Sequence, residues 1–238
     1  MRLAFALVLT AALALHAPVD AKKPKKPVIK TSDILAANNL KPFLPPALTP
    51  ENTWDLDLSD GGRVVIQLRP DRAPKMVERI KTLTKQGFYN GLNFHRVIDG
   101  FMAQGGDPKG TGEGGSTMPD VPAEFNDLPH VRGAVAAARS SDENSANSQF
   151  YIMFMPNLRL DKHYTVFGRV VAGMPYVDAI QRGEPPANPT KIVRAVMGDD
   201  PAASMPPPAL PAAPAVQAPA TLPSGPMTPP PAGSTPQG

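Results

Sequence analysis

The sequence predicts a mostly β fold, a largely antiparallel barrel accompanied by two helices, and three observations carry that expectation. Apolar side chains alternate with polar ones at Trp54, Leu56 and Leu58, and again at Val64, Ile66 and Leu68. This is the period-two signature of strands with one buried face. Short apolar stretches bounded by turn residues then recur down the chain, and helical periodicity is confined to two separated places. Strands and helices therefore do not alternate as a doubly wound sheet requires.

Each element has a local reason. Asp60-Gly61 supplies a hairpin turn between the first two strands. Pro74 suits a first helical turn, Met76, Val77, Ile80 and Leu83 share one helical face, and Gly87 stops the helix. Strands are expected near residues 93–98, 101–104, 132–138, 149–155 and 165–171. A second short helix begins near Pro175 with Val177 and Ile180 inward, and a closing strand covers Ile192 to Met197.

The 238 residues are 42% hydrophobic and 19% charged, which suits a globular core. Cysteine is absent, which removes disulfides, thiolate nucleophiles, zinc–cysteine sites, iron–sulfur clusters and a lipidated N-terminal Cys. The net charge of +3 is local: Lys22, Lys23, Lys25, Lys26 and Lys30 supply +5, and everything from Thr31 onward sums to −2. That balance argues against a nucleic-acid-binding face.

The chain divides into four parts. In residues 1–21, Arg2 precedes the apolar run Leu3 to Leu15, and Val19-Asp20-Ala21 offers a cleavage site. The run falls short of the ~20 apolar residues needed to span a bilayer, so it reads as a secretory signal. The expected mature chain starts at Lys22, has no integral membrane segment and is exported, to the periplasm. Residues 22–50 read as a Lys/Pro-rich linker and 51–198 as one domain. Residues 199–238 hold 13 prolines, nine alanines and no charge after Asp200, the composition of a disordered tail.

Several chemistries fall away. Gly110-Thr111-Gly112-Glu113-Gly114-Gly115 satisfies G-x-G-x-x-G, yet Pro119 and Pro122 prevent the helix that a dinucleotide site needs. No P-loop, nucleophile elbow or H-E-x-x-H helix occurs. His95, His130 and His163 lack metal-ligand spacing and read as hydrogen-bonded surface or barrel-wall residues. No cofactor is expected. What remains is the block from Asn93-Phe94-His95-Arg96 to Gln104-Gly105-Gly106-Asp107, followed by Ser148-Gln149-Phe150-Tyr151, Leu160-Asp161 and Val166-Phe167-Gly168. Strand alternation places Gln149 and Tyr151 on one face, opposite to Phe150, and puts Met102 with Gln104. One arginine, two amides and several large apolar side chains are expected to converge with no carboxylate partner.

These motifs, over roughly residues 51–198, resemble the cyclophilin family of peptidyl-prolyl cis-trans isomerases: F-H-R, F-M-x-Q-G-G-D, G-T-G-x-G-G, A-E-F, S-Q-F and V-F-G. The resemblance implies a closed eight-stranded antiparallel β-barrel capped by two α-helices. It implies that Arg96 is catalytic, that Phe101, Met102, Tyr151 and Leu160 form a proline pocket, and that Gln104 and Gln149 position substrate. Ala138 corresponds to the alanine beside the substrate-holding backbone, and His95 to the histidine before the arginine. Tyr164 aligns with a pocket histidine of eukaryotic members, Arg139 with a common Asn, Arg159 with Trp, and Tyr151 with Phe. These departures weigh against tight cyclosporin binding, and the Arg159 and Tyr164 pattern is similar to bacterial members. The implied clients are proline-containing, unfolded or partly folded proteins, taken by a monomer without a cofactor. The alternative is a non-catalytic module that binds proline-containing segments as a chaperone.

Overall fold

The computed structural model describes residues 46–207. The signal-sequence reading, most of the expected linker and the tail beyond residue 207 lie outside the described residues. Among the described residues eight strands form: β1 (Thr53–Leu58), β2 (Arg63–Leu68), β3 (Arg96–Ile98), β4 (Met102–Gly105), β5 (Ala134–Ala137), β6 (Phe150–Met153), β7 (Val166–Ala172) and β8 (Ile192–Met197). Two helices join them, α1 (Pro74–Lys85) and α2 (Met174–Ala179). The strands make one sheet in the order β3-β4-β6-β5-β7-β2-β1-β8, and every neighbouring pair is antiparallel. Among the described residues no helix is long and apolar enough to cross a membrane.

The closed barrel is not what forms. Register shifts at Asp57/Leu58, Val65/Ile66 and Val135/Ala136 curl the sheet, but it stops as an open half-barrel with β3 and β8 at its two ends. The reason lies in β3, which is three residues long. Its outer edge is taken by Gly183, which exchanges backbone hydrogen bonds of 2.8 and 2.9 Å with Val97. β8 meets the residues before β3 instead, through the Asn93–Lys191 bridge, a bond from the Gly91 N–H to the Ile192 carbonyl and one from the Ile192 N–H to the Leu92 carbonyl.

The alternating residues of β1 and β2 enter the main core, together with Met76, Val77, Ile80 and Leu83 of α1. Trp54 sits at its centre, edge-on to Tyr89 and Phe150 at ring separations of 5.2 and 5.0 Å. The opposite face of the sheet carries a second cluster, built from Met102, Ala134, Ala136, Tyr151, Met153 and Val166. Two apolar layers on one sheet thus divide the labour between stability and the site.

The polar face of β1 is buried as well, although its alternation suggests exposure. Asp57 is fully buried and accepts 2.7 Å hydrogen bonds from both Arg63 Nε and Arg194 Nε. The free N–H groups of those guanidiniums need acceptors. They find them on the carbonyls of Ala203, Met205 and Pro206, just around the 3₁₀ turn Pro201–Ser204. The expectation of a tail disordered from residue 199 is therefore corrected for residues 199–207. A chain ending at Asp200 is expected to be ~1–3 kcal/mol less stable than one ending at Pro207, the range for leaving charged donors unpaired. Denaturant midpoints of the two chains check this.

Candidate active site

The site is a strip across the sheet. Arg96 of β3 pairs with Gln104 of β4, Gln104 with Tyr151 of β6, and Tyr151 with Ala136 of β5. Alternation turns Ala103, Phe150 and Ile152 into the main core and leaves Met102, Gln104 and Tyr151 on the other face. There they meet Phe101, from the turn before β4, and Leu160 and Tyr164, from the segment around the 3₁₀ turn Leu158–Leu160.

The result is a cavity of about 240 Å³ lined by Arg96, Phe101, Met102, Gln104, Ala138, Arg139, Tyr151, Leu160 and Tyr164. Eight of the residues singled out from sequence converge there, and Arg139 joins them. Gln149 stands in an adjoining cavity of about 540 Å³, which shares Gln104, Ala138 and Arg139 with the first. His95 lines neither cavity. It is buried under the glycine loop, where a Cβ on Gly112 would lie 3.8 Å from its Nε2.

Polar groups link the two cavities. Arg96 Nη1 donates a long 3.4 Å hydrogen bond to Gln104 Oε1, and Gln104 Nε2 donates to Gln149 Oε1 at 2.8 Å. Gln149 Nε2 then donates to the carbonyls of Gly112 and Gly114 at 2.9 and 2.7 Å. The glycine loop owes its shape to the buried Asp107, whose carboxylate accepts N–H bonds from Lys109, Thr111 and Gly112. Burial alone would raise the Asp107 pKa, but these backbone donors, with Gly114, hold it below the usual range. A Cβ on Gly114 would sit 1.8 Å from Asp107 Oδ1, so close approach demands glycine there. The G-x-G-x-x-G run is a scaffold for Gln149 and not a phosphate cradle. Arg139 is fixed between the cavities, its guanidinium 4.5 Å over the Tyr164 ring and bonded to the His163 carbonyl.

One expectation about the arginine fails. Arg96 has a carboxylate partner: its Nε donates to Glu184 Oε2 at 2.8 Å. The Val97–Gly183 backbone bridge brings Glu184 alongside, and nothing in the local pattern around Glu184 announced that register. The pair is half-exposed, 42% and 52% for the two side chains, so it is worth ~0–1 kcal/mol as an attraction. Its effect is orientation: Nε is engaged and Nη2 is left without a protein partner among the described residues.

Fold and site together define a prolyl isomerase of the cyclophilin class, and comparison with known proteins agrees. Residues 53–197 match the family described as "Cyclophilin type peptidyl-prolyl cis-trans isomerase/CLD". The chain belongs to that family and is a peptidyl-prolyl cis-trans isomerase. It is 50% identical over 170 residues to the "Probable peptidyl-prolyl cis-trans isomerase" of Brucella suis, covering 65% of this chain and 86% of that protein. Peptidyl-prolyl cis-trans isomerase B of Bacillus subtilis is 38% identical over 128 residues, covering 53% and 89%. Among solved structures, cyclophilin AquaCyp293 from Hirschia baltica superposes with a TM-score of 0.59 at 29% identity, covering 64% of this chain and 76% of that one.

Burial lowers the pKa of His95 and of His130, against opposing pulls from Asp107 and Asp161 respectively. The native state keeps both imidazoles neutral where the unfolded chain, titrating near the ordinary ~6.5, takes up protons. Stability is therefore expected to hold above pH ~6.5 and to fall on acidification towards pH ~5, by at most ~1.4 kcal/mol per pH unit for each histidine. Urea midpoints at pH 7.5, 6 and 5 measure it, and a midpoint unchanged across that window would contradict it.

Proposed function

We propose that this isomerase accelerates rotation about X-Pro bonds in exported, proline-containing proteins as they fold in the periplasm. Arg96 stabilises the twisted imide, and Phe101, Met102, Tyr151 and Leu160 hold the proline ring. The observation that carries the reading is one arginine, its Nη2 unengaged among the described residues, lining the same cavity as Phe101, Met102, Tyr151 and Leu160. All of those residues come from one chain, so a monomer suffices.

The physics asks little beyond this. A peptide C–N bond resists rotation by ~18–20 kcal/mol because of amide resonance, and uncatalysed prolyl exchange takes ~10–100 s. A median turnover of ~10 s⁻¹ needs roughly 10³-fold acceleration, about 4 kcal/mol of barrier lowering. No bond is made or broken, so no nucleophile or proton donor is required. In the twisted state the imide nitrogen loses conjugation and gains a lone pair. A guanidinium N–H aimed at that nitrogen interacts more strongly there than in the planar ground state. Glu184 and Gln104 hold the guanidinium plane before substrate arrives, and Gln149 fixes the Gln104 amide beside the acyl side. The Glu184 charge partly offsets the arginine's field, and fixed orientation is what it supplies in return.

In the full chain, Arg96→Ala is expected to lower kcat/KM roughly 10²–10³-fold, the loss seen when one transition-state donor is removed. Arg96→Lys fails nearly as badly, because an ammonium lacks the planar fork of donors. Phe101→Ala acts differently, raising KM and lowering stability through lost apolar contact. A folded Arg96→Ala variant that turns over at the parent rate would remove Arg96 from the mechanism.

Export rests on the apolar run Leu3 to Leu15 and on Val19-Asp20-Ala21. Mass spectrometry of protein from the producing cell's envelope is expected to find Lys22 at the N-terminus. An intact Met1 there would overturn it.

A further inference from the structure

We propose that His130 is a positioning residue for the proline pocket: with Asp161 it sets the Tyr151 hydroxyl and fastens the segment that bears Leu160 and Tyr164. The inference rests on the reading of that pocket as the substrate site. His130 does not line the cavity, and it is fully buried behind it.

Its bonds reach three walls at once. The His130 backbone N–H and ring Nδ1 both contact Asp161 Oδ1 at 2.8 Å, and its carbonyl accepts the Asn157 N–H at 2.8 Å. Asn157 and Asp161 flank the turn Leu158–Leu160, so one residue grips both ends of the turn carrying Leu160. On the far side of the ring, Nε2 lies 3.0 Å from the Tyr151 hydroxyl. The His130 ring stacks on Tyr151 at 6.1 Å and meets the Tyr164 ring edge-on at 6.4 Å.

The chemistry gives the chain a direction. Asp161 as a carboxylate only accepts, so Nδ1 carries the proton. Nε2 is then a bare acceptor, and Tyr151 must donate its O–H to it. Burial holds the Tyr151 phenol protonated, well above its ordinary range. A phenylalanine at 151 would need no such partner. The tyrosine does, because a buried hydroxyl with nothing to bond is costly. A shift of the Tyr151 ring or of Leu160 changes the cavity's fit to a proline ring, so the effect falls on binding more than on the rotation step.

The test uses steady-state prolyl isomerisation by the full chain. His130→Leu is expected to raise KM about tenfold while kcat changes less than about threefold. His130→Gln keeps an oxygen able to accept the Tyr151 hydroxyl and is expected to recover part of the loss. The double variant His130→Leu, Tyr151→Phe removes both halves of the bond and is expected to return KM to within about threefold of the parent. A folded His130→Leu enzyme with parent KM and only a lower Tm would reduce His130 to a stability role and overturn the proposal, as would additive losses in the double variant. Should His130→Leu not fold, imidazole ¹⁵N NMR of the parent decides. A protonated Nδ1, and a bare Nε2 whose resonance moves on adding an Ala-Pro peptide, support it, and the opposite tautomer or an indifferent resonance overturns it. Arg96→Ala run alongside separates the failures. Full activity there discards the pocket reading itself, whereas an inactive Arg96→Ala with an unaffected His130→Leu discards this inference alone.

Discussion

Antiparallel pairing of β4 with β6 obliges neighbouring residues to serve opposite faces, and the rest of the molecule is arranged around that obligation. Phe150 and Ile152 must fill the main core, while Tyr151 and Met153 must build the other layer. A slip of one residue would exchange the two sets, sending aromatic bulk into the pocket and a hydroxyl into the core. Gly106 helps hold the register, since its Cα passes so near the Ser148 carbonyl that a Cβ would lie 2.4 Å from it. The burial that stabilises the sheet and the geometry that shapes the site are consequences of one ladder.

That ladder was readable from sequence because strands advertise themselves at short range. Trp54, Leu56 and Leu58 alternate visibly, and so do Gln149, Phe150 and Tyr151. Helix α1 showed its apolar stripe and its proline start. The motifs around Arg96, Gln104 and Gln149 carried the family resemblance, and the structure brings most of the residues they named into one cavity. Closure is not legible in the same way, because it depends on what lies beside a strand's edge. Gly183 reaches the edge of β3 from a loop with no strand pattern of its own.

The same limit hid the partners of the site. Glu184 lies 88 residues from Arg96 in sequence, and His130 lies 31 from Asp161 and 21 from Tyr151. No periodicity links such positions; loops bring them together through backbone bridges that only a fold can show. By spacing His130 reads as a hydrogen-bonded surface or barrel-wall residue; the structure puts it in the loop before β5, fully buried behind the cavity and bonded to Asn157, Asp161 and Tyr151. The buried Asp57 makes the same point on the other side of the sheet, where a strand position expected to meet water is instead enclosed by two arginines.

The place of β1 has a consequence for how the protein comes into being. It lies between β2 and β8, so the first of the described strands completes its pairing with the last of them. A nascent chain that has emerged only as far as α2 has one edge of β1 bare and the Asp57 carboxylate still without Arg194. Contacts so distant along the chain form late and slowly. The half-barrel therefore completes its β1–β8 ladder, and the Asp57 carboxylate its second arginine, only when β8 arrives.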